Sequence, residues 1–154
     1  MGGSRGLITV YNTLNNMVSF LSTSAEETFA FAYELGRSLA PVSILCFFGE
    51  LGAGKTTFIK GMLQGAIDLD PQEVQSPTFA YLNVYEADGL AFHFDLYRLK
   101  SAEEFLSMGF DDYFEAGICC IEWSERITSI LPVEVIKVTL EHQEKGCRLI
   151  TIRR

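Results

Sequence analysis

A nearly unbroken apolar run, Val42-Ser43-Ile44-Leu45-Cys46-Phe47-Phe48, leads straight into Gly49-Glu50-Leu51-Gly52-Ala53-Gly54-Lys55-Thr56, and a helical pattern begins on the far side. The run is rich in β-branched and aromatic residues and predicts a strand buried on both faces. From residue 55 to 66, Phe58, Ile59, Met62, Leu63 and Ala66 recur at helical spacing. The segment between fits G-x-x-x-x-G-K-S/T in the strand, loop and helix context that its mechanism requires. Its glycines let the backbone wrap with N–H groups pointing inward, and the helix start adds about half a unit of positive charge. Lys55 is then a mobile cation for β- and γ-phosphates, and the Thr56 hydroxyl a ligand of Mg²⁺. No N-K-x-D segment is present to read guanine, so ATP is the default nucleotide.

The rest of the chain builds around that unit. Residues 1–16 read as an irregular leader, and 17–154 as one P-loop ATPase domain. Ser24-Ala25-Glu26-Glu27 matches a capping box and opens a helix predicted to about residue 39, ahead of Pro41. The runs 80–86 and 90–96 flank Ala87-Asp88-Gly89 and predict an antiparallel hairpin. Ser101-Ala102-Glu103-Glu104 repeats the capping pattern, with Gly109 as the stop. Gly117-Ile118-Cys119-Cys120-Ile121 is a further buried strand, and 133–140 with 147–152 form a C-terminal β-hairpin around Glu144-Lys145-Gly146. Interleaved strands and helices give an α/β class: a three-layer, P-loop NTPase-like domain with a mixed, largely parallel central sheet.

Composition narrows the partners. With 12 Lys and Arg against 20 Asp and Glu, the formal charge is −8. Phosphate backbones are gripped by clustered cations, so the chain is not expected to bind DNA, and any contact with RNA is expected to run through a partner. The four cysteines lack C-x-x-C spacing, which points to buried thiols in a reducing compartment rather than to a disulfide framework. Residues 6–25 are uncharged but broken by Thr, Asn and Ser too often for a membrane span, so a soluble cytoplasmic protein with no membrane contact is expected.

A metal-bound triphosphate calls for an acid at the end of a neighbouring strand. Asp95 follows Leu90-Ala91-Phe92-His93-Phe94 and Glu122 follows Ile118-Cys119-Cys120-Ile121, each the first acid after a buried strand. Ligands of open α/β sheets sit beyond strand C-termini, where both carboxylates can converge. Thr78, in Ser76-Pro77-Thr78-Phe79, is either a γ-phosphate sensor or an ordinary turn residue. His93 reads as a structural histidine of an apolar strand. Arg98 suits a phosphate clamp or an acid pair, and Trp123 a packed side chain, a stacking platform or a partner surface.

Together, Gly49 to Thr57, Ser76 to Phe79, His93-Phe94-Asp95-Leu96-Tyr97-Arg98-Leu99 and Ile121-Glu122-Trp123-Ser124-Glu125 resemble the ordered signature blocks of the TsaE (YjeE) family. The resemblance spans about residues 22–132. It implies the ATPase required for bacterial tRNA threonylcarbamoyladenosine modification, docking on the TsaB–TsaD heterodimer and meeting tRNA only through that complex. By motif position, Gly49, Glu50, Leu51, Gly52, Ala53, Gly54, Lys55, Thr56 and Thr57 carry over as the nucleotide loop. Thr56 and Glu122 carry over as metal-side groups, Asp95 as a catalytic or water-orienting acid, Thr78 as a switch-like residue and Thr28 as part of the base-side wall. Glu50 stands where the family commonly has Asp, and Ser124 where Pro is frequent. The rival expectations are a P-loop small-molecule kinase and a non-catalytic protein gated by nucleotide.

Overall fold

The computed structural model describes residues 11–13, 16–77 and 79–154. Eight strands form one sheet: β1 (Tyr11–Thr13), β2 (Met17–Ser22), β3 (Ser43–Phe48), β4 (Leu82–Ala87), β5 (Gly89–Asp95), β6 (Ile118–Glu122), β7 (Ile136–His142) and β8 (Arg148–Arg153). Their spatial order is β1-β2-β8-β7-β3-β6-β5-β4. The centre is parallel, through the β7–β3, β3–β6 and β6–β5 pairs, and the flanks are antiparallel. Both expected hairpins are present, as β4–β5 and β7–β8. The outcome is the P-loop NTPase-like α/β fold with a mixed sheet. One local expectation fails. Tyr11–Thr13 lies within the stretch read as an irregular leader, yet it is an edge strand paired with β2. That pairing satisfies backbone groups at the sheet edge and leaves little trace in a three-residue pattern.

Helices α1 (Ala25–Arg37) and α2 (Lys55–Ile67) cover one sheet face. The core there includes Phe47, Phe58, Met62, Leu63, Val138 and Ile150. The short helix α3 (Ala102–Ser107) and the 3₁₀ segments Phe110–Glu115 and Ser124–Ile130 cover the other, around Phe92, Phe94, Phe105, Cys119 and Ile121. Each buried strand feeds alternate residues to the two cores, so β3 and β6 are apolar throughout except for Ser43 and the terminal Glu122.

The helix starts follow the sequence signals. Ser24 accepts from the Glu27 amide at 3.0 Å and Ser101 from the Glu104 amide at 3.2 Å. Gly109, at φ 72°, supplies the left-handed residue that ends the α3 region. Among the described residues no helix is long and apolar enough to cross a membrane.

Candidate functional site

Parallel pairing brings the C-terminal ends of three strands to one place. Phe47 of β3 is in register with Glu122 of β6, and Glu122 with Asp95 of β5. The loop leaving β3 therefore curls over the same sheet edge that carries both acids. Gly52 (φ 80°) and Gly54 (φ 100°) take backbone conformations that strain any residue with a Cβ, and Gly54 stands at the start of α2. α1 and α3 begin with two acids each in their first turns, whereas α2 has none and no side-chain cap among the described residues. Its positive end is thus left to an external anion.

The Lys55 ammonium lies over this loop. It donates to the Gly49 carbonyl at 2.8 Å and stands 3.7 Å from Glu122 Oε1. Glu122 is only 7% exposed, and its Oε2 lies 2.9 Å from His93 Nε2. Asp95 Oδ1 accepts from the Tyr97 amide at 3.1 Å. Burial raises the Asp95 carboxyl above the ordinary carboxylate range; the Tyr97 amide opposes that rise and the Glu122 charge adds to it. The Leu96 amide donates to the Glu122 carbonyl at 3.1 Å, tying together the two strand ends that bear the acids.

The donor set suits a hard divalent cation sharing its shell with phosphate. Among the described residues no three His, Cys, Asp or Glu side chains form a ready cage. Mg²⁺ needs none, since it keeps waters and takes one or two protein oxygens beside phosphate. Thr56 at the head of α2 and Glu122 at the end of β6 are the residues that would hold it.

On the other side of the loop, Ser24, Ala25, Thr28, Gly54, Thr57, Gly146 and Arg148 line a cavity of about 100 Å³. Thr28 is buried, and its hydroxyl pairs with Ser22 Oγ at 2.7 Å, while Ser22 donates to the Ser24 carbonyl at 2.8 Å. Because Ser22 has one proton and spends it on Ser24, Thr28 donates to Ser22 and keeps lone pairs for any further partner.

Lys55, Thr56, Glu122 and Asp95 accordingly share one sheet edge with the whole loop from Gly49 to Thr57, and Thr28 flanks it. Thr78 lies outside the described residues. Leu51 is 99% exposed at the tip of the loop. Arg98, read as a clamp or an ion-pair partner, instead lies 4.7 Å from the centroid of the exposed Phe79 ring. Trp123, at φ 61°, turns the chain sharply after Glu122 and packs against Tyr97 with ring centroids 5.0 Å apart. Arg148 has no counterpart among the sequence expectations. From β8 it donates to the Gly52 carbonyl at 3.2 Å and to Gly146 at 2.9 Å, holding the terminal hairpin on the glycine loop. Ninety-six residues separate the partners, and no local pattern marks the contact.

Comparison with known proteins agrees with this architecture. The family model described as "Threonylcarbamoyl adenosine biosynthesis protein TsaE" matches residues 22–150. A tRNA threonylcarbamoyladenosine biosynthesis protein TsaE from Treponema pallidum (strain Nichols) is 39% identical over 134 residues, covering 86% of this chain and 97% of that one. Its counterpart from Haemophilus influenzae is 46% identical over 98 residues, 62% of this chain and 61% of that one. The crystal structure of YdiB from Bacillus subtilis superposes with a TM-score of 0.71 at 29% identity, covering 92% of this chain and 87% of that one. A glycine loop, two strand-end acids and a matching chain over most of its length lead to one assignment: the chain belongs to the TsaE family, whose members take part in tRNA threonylcarbamoyladenosine biosynthesis.

Proposed function

We propose that this chain is the Mg-ATP-hydrolysing subunit of a cytoplasmic tRNA threonylcarbamoyladenosine-forming machinery, with residues 17–154 as its ATPase domain, and that it drives turnover of a TsaB–TsaD complex. The observation that carries the reading is Lys55, suspended between the Gly49 carbonyl and Glu122 at an uncapped helix start. A triphosphate offers that ammonium a better acceptor than one carbonyl, and the loop amides and helix dipole act in the same direction. Thr56 and Glu122 would hold Mg²⁺, which would supply charge neutralisation to the bound phosphates. Asp95, raised above the usual carboxylate range and one strand over from Glu122, orients the attacking water. Thr78 acts as a switch-like residue that senses the γ-phosphate. Thr28 and Thr57 form the base-side wall, where the Thr28 lone pairs suit an amino group such as that of adenine. Catalysis by these groups is positioning and electrostatics rather than covalent chemistry. The net charge of −8 supports contact with tRNA through partners rather than alone.

The test combines calorimetry with phosphate release, for the chain alone and with TsaB–TsaD. Lys55→Ala is expected to lose nucleotide binding, and Asp95→Ala to keep binding while hydrolysis falls. Normal turnover in both variants refutes the assignment. Transfer of the γ-phosphate to a metabolite would favour a kinase, and binding without hydrolysis in the full complex would favour a nucleotide-gated protein. Mass analysis of tRNA nucleosides, with and without this chain, decides whether multiple-turnover modification depends on it.

A further inference from the structure

Glu122 is held from behind by a histidine that, among the described residues, has no other polar partner. His93 is fully buried on β5, on the sheet face shared with Ala91 and Asp95, and in register with Cys120. Its Nε2 lies 2.9 Å from Glu122 Oε2, and its Nδ1 has no hydrogen-bond partner among the described residues. A carboxylate only accepts, so the ring proton of this bond sits on Nε2. Burying an imidazole with one nitrogen unsatisfied is unfavourable, and an aliphatic side chain would fill the same space without that penalty. Among the described residues, the one polar contact His93 makes is with the acid beside Lys55.

The two holds on Glu122 differ in kind. Lys55 reaches it on a flexible four-carbon stem at 3.7 Å, whereas His93 is a rigid ring on a central strand pair. When a triphosphate draws the Lys55 ammonium away, the histidine remains to hold the carboxylate. We propose that His93 is a positioning residue: its Nε2–H fixes Glu122 Oε2 so that Oε1 stays directed at the metal–phosphate site after Lys55 has moved to the nucleotide. This rests on Glu122 being the metal-side acid. Hydrogen bonds to a ligating carboxylate hold its orientation, and removing such partners typically weakens metal affinity by about 10–100-fold.

The experiment reads metal binding separately from turnover. A non-hydrolysable ATP analogue is titrated into the full chain by calorimetry with and without Mg²⁺, and Mn²⁺ uptake by the nucleotide complex is followed by electron paramagnetic resonance. His93→Leu is expected to leave metal-free nucleotide affinity within about twofold and to lower metal affinity about tenfold or more. His93→Gln, which keeps an amide donor near the Nε2 position, is expected to recover part of the loss. Full metal affinity in His93→Leu, alongside its loss in Glu122→Gln, overturns the role of His93 and leaves Glu122 standing. Full metal affinity in Glu122→Gln overturns the assignment of Glu122, and the His93 proposal with it. Should His93→Leu fail to fold, imidazole ¹⁵N spectra of the unmodified chain decide. The sequence has two histidines, and the other, His142, is exposed. Persistence of the protonated Nε2 bonded to carboxylate on adding Mg²⁺ and nucleotide supports the proposal, and its loss refutes it.

Discussion

Replacing Gly61 with Ala sets two physical effects against each other. Gly61 is in the interior of α2, where Ala is favoured over Gly by about 0.8–1 kcal/mol. Its Cα, however, faces the backbone of α1. A methyl group there would fall inside van der Waals contact with the Phe29 carbonyl oxygen and lie 3.1 Å from both the Phe29 carbonyl carbon and its Cα. A backbone carbonyl cannot rotate out of the way as a side chain can, so the helices must separate. Overpacking of this kind costs about 1–3 kcal/mol, and a clash with main chain belongs at the upper end. The balance is a net loss of about 2 kcal/mol, which for a domain of this size lowers the melting temperature by roughly 4–8 °C. Because α1 carries Thr28 and α2 starts at Lys55, nucleotide affinity is expected to fall as well. Thermal and urea unfolding of Gly61→Ala against the parent measure the first effect, and calorimetry the second. A variant that melts higher than the parent would show that helix propensity outweighs the close approach, refuting the packing argument.

Removing the guanidinium with Arg148→Ala frees the terminal hairpin from the glycine loop. Hydrogen bonds from a charged donor are worth about 1.5–3 kcal/mol, less at an exposed site, so losing this one should destabilise the fold by about 1 kcal/mol and lower the melting temperature by roughly 2–4 °C; an unchanged melting temperature would dismiss the tether. Asp95 has a folded pKa above its unfolded one, so its ionised form works against folding: the cost is absent below the unfolded pKa, grows as pH rises and is complete above the folded pKa. Asp95→Asn should therefore melt above the parent near about pH 7 and lose that advantage near about pH 3, and a pH-independent difference would contradict the cause. Burial raises the thiol pKa values of Cys46 and Cys120 and pushes Cys119 up to about 12, leaving the partly exposed Cys147 as the reactive thiol. Mass spectrometry after native alkylation at about pH 8 should find one label, rising to four on unfolding; rapid labelling of Cys119 in the native chain would refute its burial.

Residues acting on near neighbours were legible before any coordinates. The caps at Ser24 and Ser101, the glycine loop running from a buried strand into a helix, the two hairpins and the strand-end acids all express forces within a few residues, and each is found where the pattern puts it. Long-range pairing was not legible. The edge strand Tyr11–Thr13 exists because β2 offers it hydrogen bonds, and Arg148 reaches Gly52 because the fold lays β8 beside the loop. His93 looked like an ordinary core residue, since its partner Glu122 lies 29 positions away and meets it only when β5 and β6 pair in parallel. The amino-acid order by itself determined the glycine loop, the element types and the net negative charge, because propensity, periodicity and charge are local or additive. Tertiary structure alone decided which side chains hold Lys55 and Glu122 in place, because strand register and burial arise only when distant segments share one core.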